Sequence, residues 1–118
     1  MASFDMSYDE RTDTLHVVFD PKPRARGYDL ELNDLVAIRS DQDLTEVRAL
    51  TIRGFTSLVS VGEMEISGLR DLPAASVARL LDLLARPPAS LFLGPPDADN
   101  LVAAVRVPRI EEMLAATW

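Results

Sequence analysis

The sequence predicts a single α+β domain. An N-terminal antiparallel β-meander of about five strands is covered by a helix at 73–86, and a C-terminal hairpin and short terminal helix follow. Three observations carry this. Up to residue 53, apolar and polar residues alternate with period two in short runs, separated by polar turns about every eight to twelve residues. One clear helical stripe comes next: Val77, Leu80, Leu81 and Leu84. Two short apolar pieces then flank the loop Gly94-Pro95-Pro96-Asp97-Ala98-Asp99-Asn100.

Each element has its own signal. Phe4, Met6 and Tyr8 alternate with Asp5 and Ser7 in the first strand, and residues 9–14 form a polar turn. Leu15, Val17 and Phe19 alternate with His16 and Val18 in the second. Asp20-Pro21-Lys22-Pro23 breaks the chain, because proline has no N–H for a ladder. Tyr28, Leu30 and Leu32 mark the third strand, and Asn33-Asp34 a tight turn. Residues 35–39 form the fourth strand and 47–53 the fifth. In the fifth, Leu50 and Ile52 face one way while Val47 and Ala49 face the other, which predicts a β-bulge or burial on both faces.

Residues 54–68 are apolar without sharp periodicity and read as a crossover with a short helical turn. Asp71 is the expected N-cap of the main helix, with Pro73 in its first turn and Pro87-Pro88 as its stop. Residues 101–107 are expected to pair back on 91–93. Pro108 then starts a terminal helix with Ile110, Met113 and Leu114 on one face, and Trp118 as a docked anchor.

The 118 residues suit one domain and carry a net charge of −7. Acidic against basic residues number 11 to 7 over 1–59 and 8 to 5 over 60–118, so the acidity is spread rather than held in a tail. Such a surface repels phosphate backbones, and no nucleic-acid partner is expected. The absence of cysteine removes disulfides, thiolate metal sites and cysteine nucleophiles, and fits a cytoplasmic protein. No signal peptide is visible, and no apolar run approaches the ~20 residues of a membrane helix, so no membrane association is expected.

Tyr8-Asp9, Asp13 and Leu15 resemble the opening of the prokaryotic domain-of-unknown-function family 2283. Asp29 and Glu31, residues 35–38, and Asp41-Gln42-Asp43 look like its later parts. The resemblance covers residues 4–53. Leu44 and Arg48 stand where the family carries glycines, and Ala49-Leu50-Thr51 stands for its Ile-Glu-Ile. The resemblance implies a small β-meander without an established activity. Its members are often encoded beside small toxin-like proteins, which implies an antitoxin-like or partner-binding role.

No chemical motif is complete. His16 is the one histidine, and no serine motif accompanies it. Asp9, Glu10 and Asp13 form an acidic turn, in which Asp9 is expected to cap backbone N–H groups and Asp13 to pin the following strand, with a weak cation or basic-partner contact as the alternative. Asp41, Asp43 and Glu46 fail as a calcium loop, because positions six and twelve would be Glu46 and Ile52. No phosphate-cradling glycine run exists, and Lys22, Arg24 and Arg26 read as a solvated loop.

The expectation is therefore a non-enzymatic, homodimeric protein-interaction module without a cofactor, whose stripe Ile110, Met113, Leu114 and Trp118 either docks internally or exchanges across the dimer, with a basic protein as a further candidate partner. The alternative is a small-ligand or metal-binding domain using Asp9, Asp13 and His16. It requires those three side chains to converge.

Overall fold

The computed structural model describes residues 5–19, 27–87, 89–109 and 111–112. The chain is α+β. Strands β1 (Asp5–Asp9), β2 (Thr14–Val18), β3 (Tyr28–Glu31), β4 (Val36–Ser40) and β5 (Val47–Arg53) form one antiparallel sheet. The break at 20–23 and the basic loop at 22–26 lie outside the described residues.

The strand order is β1-β2-β5-β4-β3. The sheet is thus the expected five antiparallel strands, but not in the sequential order of a meander: β5 sits between β2 and β4. The physical reason lies in β5 itself. It is the longest strand and its side chains are buried or half-buried on both faces up to Arg53, which suits a position paired on both edges. The strands left at the rims, β1 and β3, carry the acidic alternation Asp5/Asp9 and Asp29/Glu31. Charged rims resist edge-to-edge association.

The irregular alternation of β5 is a bulge. Arg39 pairs with Ala49 but Ser40 pairs with Val47, leaving Arg48 as the extra residue. Val47 and Leu50 therefore reach the same buried side. At the β3–β4 turn, Asn33 accepts the N–H groups of Leu35 and Val36 at 2.8 Å and donates to the Glu65 carbonyl at 2.8 Å. That one side chain both closes the turn and ties it to the second half of the chain.

One face of the sheet is covered. Leu15, Val17, Phe19, Val36, Ile38, Leu50 and Ile52 join Ile66, Leu69, Leu80, Leu83, Leu84, Phe92 and Leu93 in one buried cluster. Residues 54–68 fold as helix α1 (Phe55–Val61) and the short strand β6 (Met64–Glu65), and a 3₁₀ turn, Ser67–Asp71, follows. The expected main helix is α2 (Ala74–Leu84). Its N-cap is Pro73, not Asp71. Leu72, preceding proline, is held extended (φ −96°, ψ 153°), so the cap falls two residues after the aspartate and the helix starts at Ala74. Leu83, missed in the helical stripe, is buried beside Leu80 and Leu84.

The expected C-terminal hairpin is present as a short bridge, Leu93 to Val105, supported by Gly94 N–H to the Ala104 carbonyl and Arg106 N–H to the Phe92 carbonyl. Residues 89–91 are a 3₁₀ turn rather than strand. Val102–Ala103 forms β7 and pairs with β6 instead, making a second, two-stranded sheet. A second bridge, Asp97 to Val102, continues the hairpin, so Val102 is paired both with β6 and with Asp97. Of the residues expected to form a terminal helix after Pro108, Arg109, Glu111 and Glu112 are described. Ile110, Met113, Leu114 and Trp118 lie outside the described residues.

Candidate functional site

The pairing register sorts the sheet into two faces, because directly opposed residues share a side. Met6 faces Val17 and Tyr8 faces Leu15, on the covered side. Ser7, His16, Thr51, Ala37 and Glu31 form a row across the other, open side. Beside it run Asp5, Val18, Ala49, Arg39 and Asp29.

The small side chains Ala37 and Ala49 leave a shallow groove of about 660 Å³ on the open side, with His16, Thr51, Arg39 and Arg53 among its walls. Arg39 is engaged there by Asp29, Nε to Oδ1 at 2.9 Å. His16 Nδ1 lies 3.2 Å from Thr51 Oγ1. No third side chain among the described residues orients the imidazole, as a base–nucleophile pair requires.

Asp13 points elsewhere. It sits at φ 52°, in the left-handed region that aspartate tolerates. Its carboxylate accepts the Tyr8 hydroxyl at 2.5 Å, the Thr56 N–H at 3.2 Å and the Thr56 hydroxyl at 2.7 Å. Its carbonyl accepts the Phe55 N–H at 3.0 Å. Helix α1 has no cap of its own, since its N-cap is Gly54. Asp13 caps it from 43 residues away. The Tyr8 hydroxyl holds the Asp13 carboxyl below the usual carboxylate range, and the Thr56 hydroxyl adds to this. The Tyr8 phenol is raised by the same hydrogen bond.

Asp9 accepts the Arg11 N–H at 2.9 Å and closes its own turn. Asp9, Asp13 and His16 therefore do not converge. Asp9 and Asp13 are engaged in capping, and His16 and Asp13 serve opposite sides of β2. No cluster of three or more metal-ligating side chains occurs among the described residues.

The covered side offers a different feature. Beneath β1 lies a cleft of about 300 Å³ walled by Met6, Tyr8, Leu15, Phe55, Thr56, Phe92, Val107 and Pro108. Leu15 and Phe92 form its floor and are buried. Tyr8 and Phe55 meet edge-on, with ring centroids 6.3 Å apart. The rim is open: Met6 is 51%, Tyr8 45% and Val107 58% exposed. Met6 and Tyr8 thus point to the core side of the sheet, and among the described residues nothing covers them fully. Their alternation in the sequence is visible. That the cover stops short of them is not, because Phe92 and Val107 arrive from the far end of the chain.

Comparison with known protein families, with curated proteins and with solved structures finds no match. No helix among the described residues is long and apolar enough to cross a membrane.

Proposed function

We propose that the protein is a non-enzymatic protein-interaction module that docks a partner along β1 and into the apolar cleft beneath it. The observation that carries this is the exposure of Met6 and Tyr8 on the core side of an edge strand. Single exposed apolar residues need no explanation. Met6, Tyr8 and Val107 around one cleft at an open sheet edge form the kind of patch that marks a docking surface. An apolar side chain of leucine size, fully buried there, contributes about 1.5–3 kcal/mol.

The resemblance to family 2283 adds an antitoxin-like setting to this proposal, with the product of the neighbouring gene as partner. Co-expression of the two should yield a stable complex, and Met6→Asp should abolish it while leaving the module's own thermal unfolding nearly unchanged, since Met6 is half-exposed. A complex indifferent to Met6→Asp would remove the cleft as the dock. Homodimerisation through Ile110, Met113, Leu114 and Trp118 belongs to the same proposal.

A further inference from the structure

We propose that the partner enters as an added strand on β1 whose side chains alternate between basic and apolar, a basic–apolar–any–apolar–basic segment. This rests on the docking role of the β1 cleft and names its occupant.

Strand β1 is an end strand of the sheet, and among the described residues its outer edge has no hydrogen-bond partner. A free edge presents backbone N–H and C=O groups that accept an extended peptide. The two sides of β1 then dictate what that peptide carries. On the core side, Met6 and Tyr8 flank the apolar cleft, so the residues opposite them are apolar and reach down toward Leu15 and Phe92. On the open side, Asp5 and Asp9 are exposed, and neither has an ion-pair partner among the described residues. They lie four positions apart, about 13 Å along a strand. Basic side chains at the first and fifth positions of the partner meet both, and the third position faces Ser7.

A second copy is a poor occupant of this edge. Two β1 strands paired antiparallel about Ser7 set Asp5 against the other copy's Asp9 at both ends, and like charges directly opposed destabilise a sheet. The segment 113–118, Met-Leu-Ala-Ala-Thr-Trp, is apolar but carries no basic residue to meet the aspartates.

Fluorescence-anisotropy titration of the full chain with a labelled peptide containing Lys-Val-Thr-Val-Lys tests this. The peptide should bind at least about tenfold tighter than its Glu-Val-Thr-Val-Glu counterpart, because two opposed charge pairs become two like-charge pairs. Methylating its backbone nitrogens on the side facing β1 should abolish binding. The Asp5→Lys/Asp9→Lys variant should reverse the preference between the peptides. Equal binding of both peptides, undiminished binding of the methylated one, or no saturable binding of either overturns the strand-addition proposal. If the peptides fail while Met6→Asp still dissolves the complex with the neighbouring gene product, only the strand chemistry falls and the docking role stands. If the lysine peptide binds as well to Met6→Asp, the cleft is not the dock and both fall.

Discussion

Leu44 stands at φ 57°, where the Cβ of an L-residue costs about 1–2 kcal/mol. Leucine is held there by two things. It packs half-buried against the core, and Asp41 ties the turn by accepting the N–H groups of Thr45 and Glu46 and the Thr45 hydroxyl. Truncation separates these effects. Leu44→Ala keeps the strain and loses the packing; Leu44→Gly loses both. The glycine variant should be more stable than the alanine variant by about 1 kcal/mol in urea denaturation, the reverse of the ordinary order. An alanine variant equal to or better than glycine would show that the turn does not hold this conformation. Asp13 makes a second residue-level prediction. Its carboxyl is lowered in the folded chain, so its contribution is present above the unfolded carboxylate range near pH 4 and is lost as pH falls through the lower folded value. Asp13→Asn should therefore destabilise the protein at pH 7 and flatten the acid limb of the urea midpoint against pH. An unchanged limb would remove Asp13 as a contributor. The sequence pointed to Asp13 as pinning the strand that follows it, whereas the Asp13 carboxylate caps α1 through Thr56, which is brought beside it by the β2–β5 pairing alone.

Elements were legible where a local period existed. The five strands and α2 follow from alternation of two and of three to four residues, and their bounds hold to within a residue or two. What periodicity does not encode is neighbour choice. Nothing between residues 14 and 31 says that β2 leaves its second edge for β5. The bulge at Arg48 was foreshadowed by the irregular alternation, since one extra residue shifts which side each later side chain faces. Contacts made by absence of a side chain are equally silent. A Cβ at Gly68 would collide with the Glu31 carbonyl oxygen, and the Gly68 N–H bonds the Leu32 carbonyl at 2.9 Å. Gly68→Ala must push the 3₁₀ turn off the β3–β4 hairpin and should cost about 1–3 kcal/mol. Leu80, fully buried in α2, should cost about 2–5 kcal/mol as Leu80→Ala. Equal losses much below 1 kcal/mol in both would mean that the second half is not packed on the sheet as described.

At the scale of the whole molecule, the acid response pools several groups. Asp97 is lowered chiefly by the Asn100 amide, with backbone N–H groups adding, and Glu112 chiefly by Arg106. At Asp41, burial pulls upward but the Thr45 hydroxyl and two backbone N–H groups prevail. With Asp13, these make four carboxyls that bind protons more readily in the unfolded chain, so stability should hold through neutrality and fall as the pH drops below about 4. A midpoint that rose on acidification would contradict the signs of all four. Assembly is tested at the same scale. Light scattering at micromolar concentration should give twice the chain mass, and Leu114→Asp should return it to the monomer. A wild-type monomer would discard the dimer while leaving the β1 cleft free for a different chain. The cleft itself was not legible, because its walls come from segments as distant as Met6 and Val107.

The strand order also sets a timetable. Strand β2 ends at Val18 and β5 at Arg53, so during synthesis β2 is complete 35 residues ahead of the strand that pairs with it. At about 5–20 residues per second, the first hairpin waits roughly 2–7 seconds with both of its edges open. Aspartates at positions 5 and 9 guard the outer edge during that wait. The inner edge has Leu15 and Val17 and no such guard, so the nascent chain is most vulnerable to wrong partners at β2.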